Sequence, residues 1–289
     1  MLVPYTESPG KFFMIMDLNR KIDFAIRLLQ SIPTDEGPVE VSYSGGKDSD
    51  VILELTKMAG IPYRAIYKQT SIDPPGTTAH CKENGVEVLR PKRTMLQIIE
   101  SKGWPTRRAR FCCSELKEYA VLPRAIQGIR RGESTARAKR YKEPEMCRVF
   151  PHKEKVRVYL PILEWTNEDV AEFIARRGIR CHPLYYDEKG GFHPERRLGC
   201  IGCPMKSDNG KADFLKYPKM LRSWIARGKK YLDTHPDCNA RQKFGDAYGL
   251  AFNDLFCDSY EQFVHICGGG NYSTSARLIQ KSIWKGISA

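Results

Sequence analysis

Val39-Glu40-Val41-Ser42-Tyr43-Ser44-Gly45-Gly46-Lys47-Asp48-Ser49 is the stretch that decides the fold. Its first five residues read as a strand that runs straight into the glycine pair. Asp48 to Met58 then carries Val51, Leu53, Leu55 and Met58 as the apolar positions of a helix, which Gly60 stops. Two glycines between a strand end and a helix start let the backbone turn tightly and present its N–H groups. The helix dipole, the Lys47 charge and the hydroxyls of Ser44 and Ser49 add positive potential and donors. The stretch therefore predicts an anion-binding turn, with Lys47 and Ser49 on an exposed part of the loop. Asp48, at the helix start, is placed to cap the helix or to help hold a magnesium ion. The glycine spacing is not that of the G-x-x-x-x-G-K-[ST] loop.

Outward from this stretch, Tyr63–Tyr67, Val86–Leu89 and Val156–Leu160 read as further strands. Residues 14–31, Met95–Lys102, Glu115–Ile126 and Asn167–Arg177 read as helices, the last with Thr166 as its N-cap. This alternation predicts an α/β fold, a parallel twisted sheet with helices on both faces. From about residue 211 the pattern turns helical and aromatic-rich. The chain is expected to divide into a lead-in over 1–38, a nucleotide-binding domain over 39–210 and a small helical C-terminal region over 211–289.

The net charge is +13, and the stretch Arg90–Arg140 supplies most of it, with fourteen Lys and Arg against four Glu. Such density implies a polyanionic partner: nucleotide phosphates, sulfate or a nucleic-acid backbone. The apolar patch Phe12–Met16 is short and followed by Asp17, and no run approaches the ~18 apolar residues of a membrane span, so a cytoplasmic chain is expected. Ten cysteines in such a chain point to metal or redox chemistry before disulfides. Cys112-Cys113 and Cys200-Ile201-Gly202-Cys203 are two close pairs, able to form an all-sulfur site for zinc or an iron–sulfur cluster. Neighbouring side chains converge poorly on one ion; a cluster spreads its ligand positions. Cys81, Cys147, Cys181, Cys238 and Cys257 show no pairing pattern and read as ordinary thiols.

Ser44-Gly45-Gly46-Lys47-Asp48-Ser49 matches Ser-Gly-Gly-x-Asp-Ser, and four further motifs follow in order. They are Arg110-Phe111-Cys112-Cys113-Ser114-Glu115-Leu116-Lys117; Gly128-Ile129-Arg130-Arg131-Gly132-Glu133-Ser134 with Arg137; Pro161-Ile162 with Trp165, then Pro183-Leu184-Tyr185-Tyr186; and Gly199-Cys200-Ile201-Gly202-Cys203-Pro204. Over residues 39–206 the chain resembles the phosphoadenosine-phosphosulfate (PAPS) and adenosine-phosphosulfate (APS) reductase family of PP-loop adenine nucleotide alpha-hydrolases. The resemblance implies that Ser42, Tyr43, Ser44, Gly45, Gly46, Lys47, Asp48 and Ser49 hold the phosphates of ATP, PAPS or APS, with Mg2+. It also implies catalytic roles for Lys47, Asp48, Arg110, Arg130, Arg131 and Arg137 in neutralising phosphate charge, and a [4Fe-4S] cluster on Cys112, Cys113, Cys200 and Cys203.

Two departures direct the functional reading. The reductases carry a nucleophilic cysteine in a Glu-Cys-Gly-Leu/Ile-His setting, whereas the nearest stretch here, Ile266-Cys267-Gly268-Gly269, keeps only Cys-Gly. The segment Thr70-Ser71-Ile72-Asp73-Pro74-Pro75 looks more like the related ATPases of DNA phosphorothioate modification, with Asp73 a candidate nucleotide contact or a turn former. The expectation is an ATP pyrophosphatase that adenylates an acceptor for sulfur transfer, with a nucleic-acid acceptor and a sulfur-donor protein as partners. The alternatives are a sulfonucleotide reductase recycled by a thioredoxin-type reductant, and a nucleotide-sensing subunit of a larger assembly.

Overall fold

The computed structural model describes residues 17–150, 155–254 and Val264. Residues 14–16 of the first expected helix, together with Cys257, Cys267 and Gly268–Gly270, lie outside the described residues.

Among the described residues, six strands form one sheet: β1 Val39–Tyr43, β2 Tyr63–Lys68, β3 Glu87–Leu89, β4 Arg124–Ile126, β5 Glu145–Val149 and β6 Lys155–Tyr159. Their spatial order is β3-β2-β1-β4-β6-β5. Val41 of the central strand pairs with Ala65 on one side and Ile126 on the other. All neighbours run parallel except β5, which lies antiparallel to β6 at one edge. The fold is α/β, a mostly parallel sheet flanked by helices. From β1 the chain first builds outward through β2 and β3, then returns to place β4 on the other side of β1. Strand order reverses between β1 and β4, and in open sheets of this kind ligands bind beyond the carboxyl ends of the strands at that point.

The helix expected over Glu115–Ile126 is a correction. Its first residues belong to the helix Phe111–Leu116, and its last three are β4. Apolar spacing in that run suits a helix. Arg124–Ile126 instead takes its state from tertiary pairing, with parallel partners on both sides. Consecutive residues of β4 and β6 feed opposite faces of the sheet. Ile126 and Tyr159 join a core with Val39, Val41, Leu55 and Phe173, while Ala125 and Val158 join one with Val156, Leu160 and Leu163. The β1 residue Glu40 is 1 % exposed, and its carboxylate meets Lys68 of β2 at 3.3 Å and the Leu122 N–H at 3.0 Å. A buried ion pair thus ties β1, β2 and the entry to β4.

On one face the sheet carries α1 Leu18–Gln30 and α2 Lys47–Ala59. Thr166 caps the helix Asn167–Arg177 as expected, in a capping box with Asp169, whose carboxylate also takes Lys21 at 2.5 Å.

By contacts the chain divides into two units that interleave in sequence. The first holds residues up to Gln69, Pro74–Arg90 and Glu118–Leu198, which include the whole sheet. The second holds Thr70–Asp73, Pro91–Lys117 and residues from Gly199 on. This division does not follow the sequence boundary expected near residue 210. Both cysteine pairs belong to the second unit, because the helices Met95–Lys102 and Pro218–Thr234 share one core, with Met95, Ile98 and Ile99 packed with Leu221, Trp224 and Ile225. Trp224 sits edge-on to Trp104 at 5.2 Å and to Phe214 at 5.3 Å. None of the described helices is long and apolar enough to cross a membrane.

Candidate functional site

The loop Ser44–Gly46 leaves the carboxyl end of β1 and enters α2 with Gly46 as its N-cap. Gly45 holds φ +77°, and a Cβ there would meet Thr77 Cγ2 at 2.9 Å, so both the turn and the tight packing call for glycine. The Gly46 carbonyl accepts the Ser49 N–H at 2.8 Å, the Asp50 N–H at 3.0 Å and the Ser49 hydroxyl at 2.6 Å. Ser44 Oγ lies 3.3 Å from Ser49 Oγ, and Ser42 donates to Glu40 at 3.0 Å.

Beneath the loop, the Asp50 carboxylate joins three elements. Tyr43 at the end of β1 donates to it, and His80 of the helix Thr77–Glu83 lies 3.0 Å away. Burial first, and the Asp50 charge second, push the Tyr43 phenol well above its usual pKa, so it remains a donor. Sequence reading attached no role to Asp50 or His80; an Asp in the second turn-forming pair of a helix start reads as an ordinary exposed residue.

Lys47 and Ser49 are not exposed, contrary to expectation: they are 3 % and 4 % exposed. The Lys47 ammonium lies 3.1 Å from Asp48 Oδ2 and over the Tyr185 ring. Arg130 Nε reaches Asp48 Oδ1 at 2.7 Å, its Nη2 donates to Asn167 Oδ1 at 2.9 Å, and Nη1 donates to the Trp165 carbonyl at 3.4 Å. Both Asp48 oxygens are thus committed to cations, and Gly46, not Asp48, caps the helix. A divalent ion at Asp48 would have to compete with two charges already in place.

The four expected arginines separate. Arg130 stays beside the loop, with the protein partners just described. Arg131 turns to the Tyr141 and Lys142 carbonyls and to Glu164 at 2.5 Å. Arg137 pairs with Glu133, which also takes Arg197 at 2.7 Å. Arg110 belongs to the second unit. Arg197 had no role in the sequence reading; its place in the run Glu195-Arg196-Arg197, just ahead of a cysteine motif, is the signal that was available. Burial, then the neighbouring Arg130 and Arg197 against the opposing pull of Asp48, hold the Lys47 pKa below the usual lysine value. Burial and Arg197 likewise lower that of Arg137. Lys47, Arg130, Arg137 and Arg197 therefore form a crowded cationic group at the loop, with Asp48 and Glu133 as the carboxylates paired to them. Partly desolvated excess positive charge next to a helix N-terminus suits a polyanion.

In the second unit, Cys112 and Cys113 open the helix Phe111–Leu116, and Cys200 and Cys203 flank a turn in which Gly202 holds φ +70°. The Phe214 ring packs on Gly202, and a Cβ at Gly210 would come within 2.5 Å of Gly202 Cα. The region after residue 210 thereby forms the seat of the Cys-x-x-Cys turn. Cys113 is held down to about 5 by a hydrogen bond from Cys112, then by Arg110, whose Nη2 lies 3.6 Å from its sulfur, and by Lys117. The Cys112 thiol is pushed up by sharing that hydrogen bond, by burial and by the charges of Cys113, Cys200 and Cys203. Lys117 is held up chiefly by Cys200, then by Cys113 and Asp73. Four thiols in mutual electrostatic contact, with two cations beside them, suit a negatively charged sulfur-ligated group. As placed, no three His, Cys, Asp or Glu side chains among the described residues close into a metal-holding set. Asp73 accepts the Thr70 N–H and hydroxyl, each at 2.7 Å, which is the turn-forming arrangement.

A 37.8 kDa uncharacterized protein of Escherichia phage 186 is 26% identical over 239 residues, covering 70% of this chain and 67% of its own. An uncharacterized protein of Methanocaldococcus jannaschii is 27% identical over 217 residues, 68% of this chain and 43% of its own. Among solved structures, the PAPS reductase of Candida auris in complex with phosphate superposes with a TM-score of 0.43 at 14% identity, covering 68% of this chain and 97% of that one. Residues 38–206, more than half of the chain, match the phosphoadenosine phosphosulfate reductase domain, and the chain belongs to that family.

Proposed function

We propose that the chain is an adenine-nucleotide-dependent enzyme that splits ATP between its α and β phosphates and adenylates an acceptor for sulfur transfer. The observation that carries this reading is the cationic group at the loop: Lys47, Arg137 and Arg197 lie within electrostatic reach of one another at the N-terminus of α2, where strand order reverses. The acceptor is taken to be an oxygen of a nucleic-acid phosphate, in keeping with the basic Arg90–Arg140 stretch.

In the first step the acceptor oxygen attacks the α-phosphorus, the bond to the α–β bridging oxygen breaks, and pyrophosphate departs with that electron pair. The loop backbone and Lys47 bear the charge that grows on the leaving pyrophosphate, and Arg137 and Arg197 offset the rest. In the second, a hydrosulfide attacks the acceptor phosphorus and AMP departs, carrying away the acceptor oxygen with the electron pair of the broken P–O bond. Mg2+ would enter with the nucleotide phosphates, since both Asp48 oxygens are engaged. Cys112, Cys113, Cys200 and Cys203 would hold an iron–sulfur cluster whose negative charge Lys117 and Arg110 offset; bound there, it cross-links the two cysteine turns.

A reductase reading draws support from the family itself. It requires a thiolate that attacks the sulfur of a sulfonucleotide, and its candidate, Cys267, lies outside the described residues. Turnover with ATP separates the two. AMP and pyrophosphate should appear together and should persist in Cys267→Ser. Sulfite released from PAPS or APS in the presence of thioredoxin, and lost in that variant, would establish the reductase instead.

A further inference from the structure

Tyr185 lies in the short turn Pro183–Tyr185, far in sequence from the phosphate loop, yet it is 2 % exposed and faces it. Its hydroxyl accepts the Leu198 N–H at 3.3 Å and stands within hydrogen-bonding reach of the Lys47 backbone N–H. A Cβ on Gly46 would sit 3.2 Å from that hydroxyl, and the Lys47 ammonium lies 5.5 Å from the ring centre. The Phe192 ring, at 6.0 Å, and Tyr185 are both part of the apolar core under the loop.

The first N–H groups of a helix have no partner within it. In α2 the Gly46 carbonyl takes those of Ser49 and Asp50, while the Lys47 N–H finds its partner outside the helix, in the Tyr185 hydroxyl. The hydroxyl of Tyr185 addresses that donor, while its ring carries the side chain of the same residue. One phenol thus sets both the direction of the Lys47 amide and the path of its ammonium. The Leu198 N–H, at the end of the segment that bears Arg197, shares the same oxygen. A phosphate arriving at the loop meets the Lys47 and Arg197 cations on two backbone segments that both donate to this one oxygen.

We propose that Tyr185 is the positioning residue of the phosphate loop, holding the Lys47 amide and the Arg197–Leu198 segment in the arrangement that receives a nucleotide polyphosphate. The proposal rests on the nucleotide reading above and adds the residue that organises the site. Were the hydroxyl instead a stand-in for a phosphate oxygen, its removal would free the amide and tighten binding; positioning requires the opposite sign.

Tyr185→Phe removes only the oxygen and keeps the ring under Lys47. The test is calorimetric titration of the full chain and the variant with ATP, inorganic pyrophosphate and adenosine, alongside thermal unfolding. The expected result is ATP and pyrophosphate affinity about tenfold weaker, equivalent to ~1.4 kcal/mol. Adenosine affinity should stay close to that of the unaltered chain, which a merely structural role would not single out, while the melting temperature falls modestly because two buried N–H groups lose their acceptor. If the unaltered chain binds ATP and Tyr185→Phe binds it equally well or more tightly, the positioning role is overturned while the nucleotide reading stands. If the unaltered chain binds neither ATP nor pyrophosphate, both fall. Should the phenylalanine variant fail to fold, Leu198→Pro, which deletes the second N–H on the same oxygen, is read by the same titrations, with unchanged pyrophosphate affinity again overturning the role.

Discussion

Gly128 lies against the backbone of Asp48: a Cβ at position 128 would come within 2.8 Å of the Asp48 carbonyl oxygen and 3.0 Å of its carbon. The turn after β4 and the first turn of α2 thus touch at the point where strand order reverses, and Arg130, two residues on, reaches the carboxylate of the same Asp48. A glycine is required there by the approach of two backbones, neither of which can rotate away as a side chain can.

Gly128→Ala should therefore destabilise the chain by about 1–3 kcal/mol, the range for forced overpacking. It should also weaken nucleotide binding, because the added methyl pushes α2 away from β4. Gly132→Ala, with nothing within 4 Å of its Cβ position, should stay within about 0.5 kcal/mol of the parent. Urea unfolding of the two variants side by side is the check, and equal midpoints would contradict the contact.

Removing Arg130 leaves Asp48 facing Lys47 alone and strands Asn167 and the Trp165 carbonyl. Arg130→Met should cost roughly 3–5 kcal/mol, as for the loss of one partner from a buried pair. Arg130→Lys should recover only part of that, since an ammonium cannot reach three fork-spaced acceptors at once. A double-mutant cycle with Asp48→Asn should give a coupling above about 1 kcal/mol; additivity within ~0.5 kcal/mol would show the two side chains to be independent.

Lys47→Met tests the charge while preserving most of the buried stem. Its loss should lower ATP affinity roughly ten- to a hundredfold, as befits a charge-assisted contact. Burial lowers the Lys47 pKa, so with rising pH the group gives up its proton before an ordinary lysine does. A bound polyphosphate favours the charged form, and binding at alkaline pH should therefore take up a proton. Calorimetry in two buffers of different ionisation enthalpy reads that proton, which Lys47→Met should abolish. The linkage to folding has the opposite sense from a salt-bridged lysine. Between the lowered folded value and the ordinary one, the unfolded chain binds more protons, so this group's contribution to stability rises with pH.

Anaerobically purified protein should be brown, with about four irons per chain. Cys200→Ser should lose most of that colour, whereas Cys147→Ser, on an exposed edge-strand residue, should keep it. Elemental analysis together with visible absorbance decides the matter, and stoichiometric zinc without iron would rule the cluster out.

The strand, glycine pair and helix at residues 39–59 were legible because no other backbone satisfies that sequence locally. β4 was not: three residues, Arg124-Ala125-Ile126, become a central strand only because β1 and β6 are already there to pair with them. The sequence order of the motifs revealed the loop and the cysteine pairs, but not which charges each arginine meets. Lysine and arginine are mostly exposed residues, and nothing local to Lys47 or Arg130 announces that they are buried. Tyr185 and Arg197 reach the loop through a return of the chain over a hundred residues later, a relationship that periodicity does not encode.

The interleaving of the two units also sets a schedule for synthesis. Residues 91–117 leave the ribosome long before Leu221, Trp224 and Ile225, the side chains that cover Ile98 and Ile99. With roughly a hundred residues between them, and elongation at about 5–20 residues per second, this helical segment waits on the order of 5–20 s with its apolar side chains uncovered. A gene truncated after codon 198 would make that delay permanent, yielding a sheet with all its strands and a stranded, sticky insertion. Nascent-chain chaperones are therefore expected to engage this product late in translation, and fragments ending at residue 198 should precipitate even though the phosphate loop is intact.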